Sequence, residues 1–128
     1  MATRHQARQA VVSLLYAHEM GSSSDEFIDE FLEEKKIRNE RKTQASDTFR
    51  QILAKQNEID EILKSHLKDG DISKVGVVER AILRLAIFEM NLGDTDRAVI
   101  INEAVELAKE LTSDTSPRFI NGVLGAIK

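Results

Sequence analysis

The chain has 128 residues, 18 Lys plus Arg against 22 Asp plus Glu, three His, one Pro, and neither Cys nor Trp. This length is the commonest domain size and is long enough to bury a core without covalent staples. Without cysteine there is no disulfide framework, zinc ribbon, iron–sulfur site or thiol nucleophile, which favours an intracellular setting.

The longest uncharged runs are ten residues, Gln9–His18, and nine, Phe119–Ile127. A bilayer span takes about 20 apolar residues, so the expectation is a soluble, cytoplasmic chain without an export signal or membrane contact. The net charge of −4 argues against nonspecific coating of nucleic acid, but the charges are uneven. Acids crowd residues 25 to 34 and bases crowd residues 35 to 42, a pattern that reads as a solvated helix face followed by its loop.

Apolar spacing is helical nearly everywhere. Ala7, Ala10, Val11, Leu14, Leu15 and His18 form one stripe over residues ~4 to 20, stopped by Gly21. Ser24 is placed to cap a second helix whose apolar residues are Phe27, Ile28, Phe31 and Leu32, with Asp25, Glu26 and Asp29 near its positive end. That helix ends near Lys35 or Lys36, and the charged stretch Ile37–Thr43 leads into a third with Ala45, Phe49, Ile52 and Leu53. The phase then resets near Asn57, a plausible cap, to Ile59, Ile62, Leu63 and Leu67.

Lys68–Ser73 reads as a turn before a strongly apolar helix, Val77 to about Asn91, with Gly93 at its exit. Asp96 is placed to cap the sixth helix, which carries Val99, Ile100, Leu107, Ala108 and Leu111. In the seventh, the Ser116 hydroxyl stands as a cap before Pro117, and the apolar face is Phe119, Ile120, Val123, Leu124 and Ile127. Gly122 and Gly125 predict a close approach by a neighbouring helix. Ala98–Ile101 and Asn121-Gly122 would suit a hairpin only if alternating segments flanked them, and none does, so the fold class is all-α with about seven helices.

The sequence has no Gly-x-Gly-x-x-Gly, no phosphate loop ending in Gly-Lys-Ser/Thr and no His-Glu-x-x-His. His5, His18 and His66 sit on separate elements, and pairs such as Asp60-Glu61 and Glu103 with Glu106 fall where helix surfaces are charged. No enzyme, metal site or cofactor is expected. Two constellations point to nucleic acid instead. Arg8, Val12 and Tyr16 make an i+4 ridge with Arg4 one turn earlier, so cations and the only tyrosine share a side of the first helix. Arg118 and Phe119 sit in the first turn of the last helix, where free N–H groups attract phosphate. Arginine on phosphate with a ring stacked on an unpaired base is how single-stranded RNA is held. The same residues also suit the rim of a core face, and Phe119 shares its spacing with Ile120 and Val123.

Four stretches carry a resemblance over essentially the whole chain. They are Ala7 to Tyr16 (ARQAVVSLLY), Val78 to Ala86 (VERAILRLA), Ile101 to Lys109 (INEAVELAK) and Ser116 to Leu124 (SPRFINGVL), and in order and spacing they resemble the bacterial NusB transcription antitermination family. Residues 21 to 72 add only length and helical pattern.

The resemblance implies an all-helical fold of two packed three-helix subbundles, one NusB-like domain over residues 1–128, and a non-enzymatic antitermination role. The implied ligand is boxA RNA of nascent ribosomal RNA operon transcripts. The implied partner is the small-subunit ribosomal protein acting as NusE, with RNA polymerase and other Nus factors recruited around the complex. Homodimers as well as monomers occur in the family. Its domain also fronts certain ribosomal RNA methyltransferases, and the stand-alone form is the expectation for a chain ending at Lys128.

Carried over singly, the family's RNA-binding positions fall on Arg4, His5, Arg8, Tyr16, Arg118 and Phe119, and an acidic position at its RNA and NusE surfaces falls on Glu79, with Arg80 beside it assigned to the partner-binding side. His5 and Gln6 replace common arginines, which implies weaker or mildly pH-dependent RNA affinity. Asn102 and Asn121 are expected to be buried between helices. The loop Asn91–Arg97 lacks a family Val-Pro, and Thr115 stands at an often acidic place; both bear on fine specificity. A helical protein adaptor without specific RNA binding is the alternative, favoured by the acidic charge and the diluted arginine segment.

Overall fold

The computed structural model describes residues 2–128, which form seven α-helices and one 3-10 turn, with no strand among the described residues. They fall into two compact units, Met1–Ala54 and Lys55–Lys128.

The first unit holds α1 (Arg4–Glu19), α2 (Asp25–Glu34) and α3 (Asn39–Ala54). Thr3 opens α1 with a capping box: its hydroxyl accepts from Gln6 N at 3.0 Å, and Gln6 Oε1 accepts from Thr3 N at 2.8 Å. Of the predicted stripe Ala10, Val11, Leu14 and Leu15 are buried, whereas Ala7 is half-buried, His18 is exposed and Val12 is buried beside them; Gly21 at φ 95° stops the helix as expected. Ser24 caps α2 by accepting from Phe27 N at 3.1 Å.

The segment after α2 differs from the sequence expectation. Ile37 is fully buried, its N–H donating to Leu32 O at 2.9 Å, and α3 already begins at Asn39, a residue type that tolerates its left-handed φ of 59°. Nor are the two charge blocks merely solvated. Lys42 on α3 pairs with Asp29 and Glu33 of α2, Arg38 reaches Glu33 at 3.1 Å, and Arg50 reaches Asp25 at 2.9 Å. The Asp29 hydrogen bond foremost, with Glu33 behind it, raises the Lys42 ammonium above its ordinary pKa. Opposite charges thus pair across the α2–α3 corner, and α3 begins within the supposed loop.

The second unit holds α4 (Gln56–Ser65), the 3-10 turn (Ile72–Lys74), α5 (Val77–Leu92), α6 (Arg97–Leu111) and α7 (Ser116–Ala126). Helix α5 is its axis: every residue from Ala81 to Phe88 is buried, and α4, α6 and α7 all contact it. A helix buried all round is apolar all round, and the exception here, Arg84, is answered by Asp60 of α4 at 2.9 and 3.0 Å. Gly93 at φ 79° ends α5, its N–H donating to Glu89 O at 3.2 Å.

Asp96 stands at the N-cap of α6 without a side-chain cap bond. Beside it Arg97 closes the far end of α7, donating to the carbonyls of Leu124 at 3.2 Å, Gly125 at 2.9 Å and Ile127. A cation on the unsatisfied carbonyls and negative pole of a helix end is favourable.

Helix α7 buries Ile120, Val123 and Leu124, so positions 122 and 125 face outward. Both glycines are exposed, and a Cβ at either would meet nothing within 4 Å; the predicted close helix approach is absent there. Asn102 and Asn121 are exposed as well, not buried between helices.

Candidate nucleic-acid interface

Each unit contributes one group of candidate side chains. In the first, α1 begins with Arg4 exposed and His5 and Arg8 half-buried. Tyr16 lies two turns beyond Arg8 and is 42% exposed, while Val12 between them is buried. A rise of 1.5 Å per residue separates Arg8 from Tyr16 by about 12 Å. The helix therefore offers cations at its start and an open ring further along the same ridge, with the neighbouring stripe supplying rigidity.

In the second unit, a cleft of about 400 Å³ opens where the 3-10 turn, the start of α5 and the start of α7 meet. Phe119, 39% exposed, and Glu79 line it together, with Lys68 and Lys74 also on its walls. Arg118 is exposed in the same turn as Phe119. Arg80 is half-buried and turns back to the chain, its Nη1 donating to Ile72 O at 3.5 Å.

Local hydrogen bonds hold the turn in place. Asp71 Oδ1 accepts from Ser73 N at 3.0 Å and from Ser73 Oγ at 2.6 Å. Lys74 binds Asp69 at 3.0 Å and, with the Asp71 N–H, holds the Asp69 carboxyl below the usual carboxylate range.

Ser116 does not cap α7. Thr115 already has helical angles (φ −88°, ψ −22°) and occupies the cap position, making Ser116 the first helical residue. Its buried hydroxyl donates to Glu79 Oε2 at 3.0 Å. Residues 37 apart give no local periodicity to reveal such a contact. The available signal was Gly76-Val77-Val78-Glu79, with an acid at the third helical position where a capping-box glutamate stands.

Among the described residues no cluster of three or more His, Asp or Glu is placed to hold a metal ion, and no helix is long and apolar enough to cross a membrane. The class defined by these features is an all-helical protein offering basic side chains at helix starts, with one exposed ring beside them on α7 and another near the end of α1. The NusB family model matches residues 5–128. The chain is 69% identical over 128 residues to the transcription antitermination protein NusB of Campylobacter curvus, covering all of this chain and 98% of the relative.

Solved structures agree with that assignment. The antitermination factors NusB and NusE in complex with dsRNA match at TM-score 0.85 and 31% identity, over 97% of this chain and 94% of the other. T. maritima NusB matches at TM-score 0.85 and 30% identity, over 99% and 92%. The chain belongs to the NusB family.

Proposed function

We propose that the chain is a non-catalytic, cytoplasmic transcription antitermination factor. It binds boxA RNA of nascent ribosomal RNA operon transcripts jointly with the ribosomal protein acting as NusE, and RNA polymerase and other Nus factors gather around that complex. Residues 1–128 act in this as one NusB-like domain.

The observation that carries the reading is the exposure of Tyr16 and Phe119 on helices that also carry Arg4, Arg8 and Arg118, in a chain that aligns along 97% of its length with a NusB solved together with NusE and dsRNA. Arg4, Arg8 and Arg118 supply phosphate contacts, His5 adds charge when protonated, and the two rings offer stacking faces. Glu79 and Arg80 complete the surface offered to the ribosomal protein.

Neutralising Arg4 and Arg8 together is the direct test of the phosphate contacts. Single-stranded RNA binding has a log–log salt slope near −0.7 per phosphate neutralised, so Arg4→Ala with Arg8→Ala is expected to weaken binding and shallow the slope by about 1.4. Helicity by circular dichroism should not change, because neither residue is in the core. An unchanged slope would move the phosphate site off α1, and a slope near zero in the wild type would favour the protein-adaptor reading.

A further inference from the structure

Glu79 is the third residue of α5 and Ser116 the first of α7, so their 3.0 Å hydrogen bond joins the opening turns of two helices. Neither helix start has a side-chain cap bond. Both helix starts are positive poles, the setting in which a carboxylate is stabilised, although in α7 the Ser116 N–H already donates to Ser113 O at 3.2 Å and Pro117 has no N–H to offer. The Ser116 side chain is buried, and a buried hydroxyl left without an acceptor is costly, so the contact favours a single placement of this turn.

Gly76 makes room for it. A Cβ at position 76 would lie 2.7 Å from Glu79 Oε1 and 3.0 Å from Cδ. The backbone there (φ −58°, ψ 152°) is one that any residue adopts, so the requirement is for space and not for conformational freedom. Arg118 and Phe119 follow Ser116 by two and three residues, and Phe119 lines the same cleft as Glu79 and Ser116.

We infer that the Ser116–Glu79 hydrogen bond, with space provided by Gly76, sets the orientation of the first turn of α7 and thereby presents Arg118 and Phe119 to RNA. Glu79 and Ser116 are positioning residues, and this rests on the RNA-binding reading above. The sign of the Glu79 effect separates the idea from plain electrostatics. A carboxylate near phosphates repels them, so charge alone makes its removal strengthen RNA binding; a positioning role makes truncation weaken it.

The test uses the full chain, with fluorescent boxA RNA and a scrambled RNA of equal length as probes and backbone amide exchange measured on the RNA-free protein. Ser116→Ala, Glu79→Ala and Gly76→Ala are each expected to weaken boxA binding about fivefold, the value of one typical net hydrogen bond. The Glu79→Ala/Ser116→Ala double variant should lose no more than either single one. Exchange should quicken at the first-turn amides of α7 and stay unchanged in the buried stretch of α5. Glu79→Gln keeps an oxygen acceptor for the hydroxyl and should hold both the exchange pattern and the affinity.

Tighter boxA binding by Glu79→Ala with Ser116→Ala unchanged would overturn the inference in favour of a charge effect. So would unaltered first-turn exchange in the alanine variants, or quickened exchange with boxA affinity intact. A wild-type protein that fails to tell boxA from the scrambled RNA would defeat the proposed function instead, and the exchange data alone would still decide whether the contact positions the turn.

Discussion

Replacing Arg84 by Ala is expected to lower the unfolding free energy by about 3 kcal/mol, the lower end of the range for breaking a buried ion pair. Arg84 is 6% exposed within the fully buried stretch Ala81–Phe88, and its guanidinium meets both Asp60 carboxylate oxygens at 2.9 and 3.0 Å. Truncation leaves the Asp60 carboxylate short of a partner where water reaches it poorly, and that loss of solvation is the main cost. Because the Asp60 side chain keeps 17% exposure, the upper part of the range does not apply.

Urea unfolding followed by circular dichroism reads the effect. Replacing Arg84 by Met and Asp60 by Leu together should recover much of the loss, since a pair of apolar residues needs no solvation. A drop below about 1 kcal/mol for Arg84→Ala would mean that the pair is better hydrated than its geometry implies.

Leu14→Ala and Leu85→Ala should each cost about 2 to 5 kcal/mol. Leu14 is 1% exposed on α1 and Leu85 3% exposed on α5, so each truncation removes buried apolar surface and opens a cavity that neighbours fill only in part. Denaturant midpoints measure both losses. At temperatures where the variants remain folded, RNA affinity should match the wild type, because neither side chain reaches the surface that carries the arginines and rings. A silent Leu14→Ala would mean that the inward face of α1 has been misassigned, and the placement of Arg8 and Tyr16 along its edge would go with it.

The inward faces were legible because helical periodicity is a property of neighbouring residues: Leu14, Leu15, Ile59, Leu63, Ile82 and Leu124 are all buried where their spacing puts them. Helix ends marked by a short-range device were legible at Ser24 capping α2 and Gly93 closing α5, but not at Asn57, which lies inside α4 while Lys55 stands at its cap position. Other features that escaped depend on residues far apart in the chain. Ile37 looked like part of a charged loop because its neighbours are polar, yet the α2–α3 corner buries it. Ser116 has the local pattern of a cap, but Glu79 of another helix takes its hydroxyl.

The glycines show the converse error. Gly122 and Gly125 are spaced for helix contact, but the phase fixed by Ile120, Val123 and Leu124 turns them to solvent. At the candidate interface, residue types and helix positions were legible for Arg4, Arg8, Tyr16, Arg118 and Phe119. The open aspect of the two rings was not, because half-exposure of an aromatic at the rim of a core is decided by which helix packs beside it.

The most direct measurement is a titration of fluorescent boxA RNA against a scrambled RNA of equal length, with and without the NusE ribosomal protein, at two salt concentrations. The expected result is selective binding to boxA that weakens with salt and strengthens with the partner. Equal, weak binding to both RNAs, unaffected by the partner, would contradict the antitermination reading and leave a helical protein adaptor in its place.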